Sequence, residues 1–123
     1  MTPEEAAFSP ETIGAAPSVQ RWFDSARLHN DPEEETQFRL QLLGDFCAQM
    51  GQTPDELAAG LRRTTKGGDE AISGKRRKAM DAAIDEFVEK SGWTGRDAVV
   101  NGNMLRSFLV HNGIFIQGRA WRG

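Results

Sequence analysis

The sequence predicts an all-α fold, an orthogonal bundle of four to five short helices. Two observations predict it. Apolar residues recur at spacings of three and four in five separate segments, and most of these segments are bounded by helix start or stop signals. No stretch of useful length alternates apolar and polar residues, so no extended sheet is expected.

Residues 1–16 contain few apolar side chains and include Pro3, Pro10 and Gly14, which predicts a flexible tail. The first helix is predicted from about residue 17 to 28, with Val19, Trp22, Phe23 and Ala26 on one face. Asp31-Pro32-Glu33-Glu34 opens the second helix, because Asp can cap, Pro suits the first helical position and acids favour the positive end of the dipole. That helix runs to Met50 with Leu42, Leu43, Phe46 and Met50 as its core stripe, Phe38 and Cys47 at the edges, and Gly51 as its stop. Thr53-Pro54-Asp55-Glu56 is a capping box that starts the third helix, with Leu57 and Leu61 on its buried side. Gly67, Gly68 and Gly74 among polar neighbours predict a loop.

The fourth helix is predicted over about 75–91 and buries Met80, Ile84, Phe87 and Val88. The fifth is capped by Thr94, turns Ala98, Leu105, Phe108 and Leu109 inward, and ends at Asn112-Gly113, a pair suited to a left-handed stop. Gly102 inside it costs about 1 kcal/mol relative to Ala, which points to close approach of another helix. Residues 114–123 read as extended or irregular.

A chain of 123 residues can bury one modest core. No apolar run nears the roughly 18 to 20 residues that span a bilayer, and the acidic start is unlike a signal peptide; a cytoplasmic protein is expected. The single cysteine, Cys47, cannot form an internal disulfide and lies among apolar residues, so it reads as a core thiol. His29 and His111 are far apart and lack metal-ligand spacing, and neither a metal nor another cofactor is expected. Phosphate-loop, dinucleotide, zinc-protease and nucleophile-elbow motifs are all missing, and Gly67-Gly68 is followed by Asp69 and Glu70, which would repel a phosphate. Asp81, Asp85, Glu86 and Glu89 read as a solvated helix face. The net charge of −3 is uneven: residues 1–35 hold eight acids and two bases, whereas residues 36–123 hold ten acids and thirteen bases.

Glu89 to Arg119 resembles the end of the helical core-binding domain of phage-type and archaeal-type tyrosine recombinases. The residues that carry this are Arg106-Ser107-Phe108-Leu109 followed by Asn112-Gly113-Ile114. Upstream, Phe46 to Leu57 resembles that domain's second helix running into its third, and Val19, Trp22 and Phe23 resemble its first. The resemblance covers about residues 17–119 and makes 120–123 a tail or a linker to a missing catalytic domain. It departs from the family at Glu35 and Arg39, and at Asp97, Asn101 and Gly102, where other residue types are frequent.

The resemblance implies a SAM-like bundle that binds duplex DNA at a recombination site through its second and last helices, alongside other recombinase protomers on the nucleoid. It also implies that the chemistry belongs to a separate domain with a tyrosine nucleophile. This chain has no tyrosine and is expected to be non-catalytic. At about 100° per residue, the face of the last helix away from its core holds Arg96, Asn103 and Ser107, with Arg106 on the flank. The corresponding face of the second helix holds Gln37, Gln41, Gly44 and Ala48, where two small residues would let a DNA backbone approach, and Arg39 could swing to a phosphate. Lys75 and Arg76 open the run Lys75-Arg76-Arg77-Lys78 at a helix start, where cations oppose the dipole; a phosphate or an acidic partner surface would compensate, and a solvated loop edge is the other reading. Arg62, Arg63 and Lys66 are explained by the third helix's C-terminal dipole. The alternative is a stand-alone helical protein-interaction module in which Trp22, Trp93 or Trp121 anchors the partner.

Overall fold

Five of the six helices among the described residues begin at a proline or beside a hydroxyl side chain, as the sequence signals require. The structure is a computed structural model and describes residues 7–120. It is mostly helical, α1 (Pro10–Gly14), α2 (Pro17–Ser25), α3 (Glu33–Met50), α4 (Pro54–Ala59), α5 (Gly74–Lys90) and α6 (Gly95–Val110), with one hairpin, β1 (Arg62–Thr64) and β2 (Glu70–Ile72). No helix among the described residues is long and apolar enough to cross a membrane. The described chain gathers into two compact units, one ending at Leu57 and one beginning at Ala58.

In the first unit, α1 departs from the predicted tail. Ser9 caps it by accepting from Thr12 N at 3.3 Å, Pro10 takes its first position, and Ile13 is buried. α1 packs on α3, where Gly44 makes room: a Cβ there would stand 2.4 Å from the Phe8 carbonyl oxygen and 3.4 Å from Ile13. This explains why α3 buries Leu40 and Gly44 as well as Leu42, Leu43, Phe46 and Cys47, a wider arc than a one-sided stripe. Phe38, expected at the edge, is 45% exposed. Asp31 does not cap α3; its carboxylate pairs with Arg39 at 2.8 Å, and Pro32 holds the N-cap position. α2 buries Val19, Trp22 and Phe23, the last two edge to face. The capping box of α4 forms as read: Glu56 N donates to Thr53 Oγ1 at 3.1 Å and Thr53 N donates to Glu56 Oε1 at 2.9 Å. Gly51 ends α3 in the left-handed region at φ 68°.

The second unit holds a hairpin where Gly67, Gly68 and Gly74 predict a loop. Arg62, Arg63 and Thr64 pair antiparallel with Ile72, Ala71 and Glu70. The tip closes through Thr65 N to Asp69 O at 2.7 Å and Gly68 N to Thr65 O at 3.0 Å, with Gly68 at φ 88°. Strands of three residues are too short to show an alternation of their own. Ser73 caps α5 by accepting from Arg76 N at 3.2 Å, so Gly74 is the helix's first residue. α5 and α6 pack along Ile84, Val88 and Gly102, where a Cβ would meet Val88 at 3.4 Å, so the close approach predicted for Gly102 is present. α6 buries Leu105, Phe108 and Leu109, and the chain turns at Gly113 (φ 85°) with Ile114 N bonding to Leu109 O at 3.0 Å. Beyond it, Ile114 and Ile116 are buried while Phe115 is exposed.

Candidate nucleic-acid interface

Residues 62–78 hold seven bases, Arg62, Arg63, Lys66, Lys75, Arg76, Arg77 and Lys78, against Asp69 and Glu70. The hairpin folds this run onto the start of α5. Ser73 N bonds Leu61 O at 2.8 Å, and the Arg76 guanidinium donates to the carbonyls of Gly60 at 3.3 Å and Arg62 at 3.1 Å. Arg76 therefore ties the first turn of α5 to β1, and its charge meets carbonyl oxygens. Arg62 also has a structural partner: its Nη2 donates to Asn112 O at 3.2 Å, placing a cation at the C-terminal end of α6 where the dipole favours it. Asn112 in turn donates to Phe108 O at 2.9 Å. The dipole reading of Arg62, Arg63 and Lys66 fails for α4 itself, because that helix stops at Ala59 and Arg62–Thr64 is a strand.

Arg63, Lys66, Lys75 and Lys78 are exposed, Arg77 is half-buried, and none of the five has an acidic partner among the described residues. Lys66 sits at the hairpin tip and Lys75 and Lys78 on the first turns of α5. The surrounding charge has the same sign. Residues from Ala58 onward hold twelve bases and seven acids, whereas residues up to Leu57 hold three bases and eleven acids.

The faces expected to read DNA on the second and last helices fare differently. On α3, Gln37 donates to Glu33 at 3.0 Å and Gln41 to Asp45 at 2.8 Å, both on the surface. Arg39 is held by Asp31 and, at 3.5 Å, by Glu35, with its side chain mostly covered. Gly44, at the middle of that face, lies under the chain's own Phe8 and Ile13 rather than open to a DNA backbone. On α6, Arg96 is exposed and without an ion pair among the described residues, and Ser107 is half-buried. Asn103 spends its amide on the main chain of Arg119, donating to O at 2.6 Å and accepting from N at 2.7 Å.

Arg106 requires a correction. It is 2% exposed, with Nε donating to Asp81 and Nη2 to Asp85, each at 2.8 Å, so it is not a flank residue available to a phosphate. Arg119 bonds the other oxygens of Asp81 and Asp85 at 2.9 and 3.1 Å. The two acids expected on a solvated face thus lie between two guanidiniums. Desolvation pushes the Asp81 carboxyl up, but the hydrogen bonds and charges of Arg119 and Arg106 outweigh it and hold it below its ordinary value. The bond to Asp81 likewise raises Arg119. Glu86 pairs instead with Lys90 at 2.8 Å, one helical turn on.

Cys47 is fully buried and its thiol is pushed up to about 12 by burial, as befits a core thiol. His29 pairs with Asp24. No group of three metal-ligating side chains occurs among the described residues. Of the tryptophans considered as partner anchors, Trp22 is buried, Trp93 stands edge-on to Phe87 with ring centres 6.0 Å apart, and Trp121 lies outside the described residues. Comparison with family models, with curated proteins and with solved structures finds no match to this chain.

Proposed function

We propose that the chain is a non-catalytic duplex-DNA-binding module, of the core-binding type found in tyrosine recombinases, and that it grips phosphates through the basic end of its second unit. In this reading its helices form the SAM-like orthogonal bundle of that family. Its partners are recombination-site DNA and other recombinase protomers on the nucleoid. The observation that carries the DNA reading is the cluster Arg63, Lys66, Lys75, Arg77 and Lys78, five cations gathered by a hairpin and a helix start with no acid paired to them among the described residues. Left to themselves, like charges so placed repel one another and oppose the dipole of α5. A polyanion relieves both effects. The recombinase assignment rests on the residues of the resemblance, in particular Asn112-Gly113 closing the last helix.

The contact expected is to the phosphate backbone, since the cluster is made of cations alone, three of the five being lysines, which meet phosphates as point charges. Arg96 adds a sixth cation on α6. A salt series of duplex binding tests the reading. Neutralising about four phosphates gives a slope of log K against log salt of about −4, at roughly −0.9 per phosphate. Replacing Arg63 and Lys66 together by Ala should reduce that slope by about 2 and weaken binding evenly across sequences. Binding that is absent at low salt, or unchanged in that double variant, would overturn the proposal.

A further inference from the structure

Phe115 is 71% exposed, more than any other large apolar side chain among the described residues. The chain holds it there. Ile114 and Ile116 are 0% and 6% exposed, and with both neighbours anchored in the core the residue between them faces outward. Three residues beyond Ile116, Asn103 grips both main-chain polar groups of Arg119, whose guanidinium reaches Asp81 and Asp85. The ring is therefore presented on a segment tied down at both ends.

Beside it is an open cavity of about 230 Å³ lined by Arg77, Lys78, Asp81, Phe115, Ile116 and Gln117. The Asp81 charge is answered by Arg106 and Arg119, so Arg77 and Lys78 set the sign of the site. A bare aromatic face with two cations at its rim suits an anion that carries a flat ring. The cavity is smaller than the roughly 300–1,000 Å³ typical of drug-sized ligand sites, which fits one ring and not a base pair.

We propose that this cavity takes a single unpaired nucleotide of a DNA strand, with its base stacked on Phe115, its phosphate on Arg77 and Lys78, and Gln117 at the base edge. This rests on the DNA-binding reading of the same unit and adds to it a preference for duplexes with an unpaired base. Stacking of a base on an aromatic side chain tolerates any sequence and loses roughly ten- to a hundredfold in affinity when the ring is removed.

The test compares an intact duplex with the same duplex carrying a one-nucleotide bulge of 2-aminopurine. The full chain and its Phe115→Ala and Phe115→Trp variants are titrated against both, and the exposed position of Phe115 leaves the fold intact in each variant. The parent and Phe115→Trp should prefer the bulged duplex about tenfold and quench the 2-aminopurine. Phe115→Ala should lose the preference and the quenching while binding the intact duplex as the parent does. A parent that binds both duplexes equally without quenching overturns this inference and leaves the duplex reading standing; the ring would then serve a protein partner. A parent that binds neither at low salt overturns both.

Discussion

Replacing Arg106 by Ala separates a structural role from a DNA-contacting one. The guanidinium is 2% exposed and makes two charge-assisted hydrogen bonds of 2.8 Å, to Asp81 and to Asp85. Such bonds contribute about 1.5–3 kcal/mol each, and breaking a fully buried pair costs about 3–5 kcal/mol. Two features lower the figure here. The carboxylates left behind are 30% and 53% exposed and regain water, and both keep Arg119. The expected loss is about 2–3 kcal/mol, a large share of the stability of a chain this size. Arg106→Lys should recover only part of it, since a point charge cannot reach both acids as a planar fork does. Urea denaturation measures the loss. A double-mutant cycle with Asp85→Asn isolates the pair, with an expected coupling of about 1 kcal/mol because Asp85 is half in water. Below its melting temperature the Arg106→Ala variant should bind duplex DNA within about twofold of the parent and with the same salt slope. A loss of stability under about 0.5 kcal/mol, or a slope lowered by about 1, would refute the buried placement and restore the phosphate contact that the helical wheel suggests.

Three further outcomes follow from the geometry. Gly44→Ala puts a carbon 2.4 Å from the Phe8 carbonyl oxygen, so residues 8–16 must lift from α3; limited proteolysis should cut there faster than in the parent while the residues after Pro17 stay protected. Cys47, with its thiol near 12 and no exposure, should be inert to a thiol reagent at pH 8 until denaturant unfolds the chain, and rapid native labelling would contradict its burial. Asp81 is held below its ordinary 3.8, so its contribution to stability is complete above that value and is lost as pH falls through the lower folded one; Asp81→Asn should flatten the acid limb of a stability curve below the ordinary carboxylate range.

Local signals were the legible part. Thr53 and Glu56 cap α4 from within four residues of chain, Gly51 and Gly113 stop helices by their own backbone freedom, and the core of α6 follows its 3.6-residue period. Gly102 was readable too, because its cost in a helix demands a packing reason. What escaped depends on partners distant in sequence. The helical wheel places Arg106 at the edge of the apolar face, but only the packing of α5 shows that Asp81 and Asp85 await it there. α1 went unseen because five residues with one buried side chain, Ile13, carry no periodicity. The hairpin escaped for a similar reason, and with it the gathering of Arg63 and Lys66 beside Lys75 and Lys78. Phe115 carried a faint signal: three large apolar residues in a row, Ile114-Phe115-Ile116, past the end of the last helix are seldom all buried.

The tight meeting of Gly102 with Arg106 constrains which substitutions this chain can accept, and in what order. A Cβ at position 102 would stand 3.0 Å from Nη1 of Arg106, closer than most side chains tolerate. A methyl group at position 102 therefore requires the Arg106 guanidinium to give by a few tenths of an ångström, a cost set against alanine's better helix propensity. Once 106 carries a shorter apolar side chain, Asp81 and Asp85 lose one of the two guanidiniums that bridge them, keeping Arg119, and the glycine is freed from that contact. Homologous chains should accordingly fall into two sets, glycine at 102 with arginine at 106 and acids facing it, or a larger residue at 102 with none of that charge. Chains that mix the two should be the rarer and less stable ones, because either single step crowds the guanidinium against a new methyl group or strips Asp81 and Asp85 of one of their two cations.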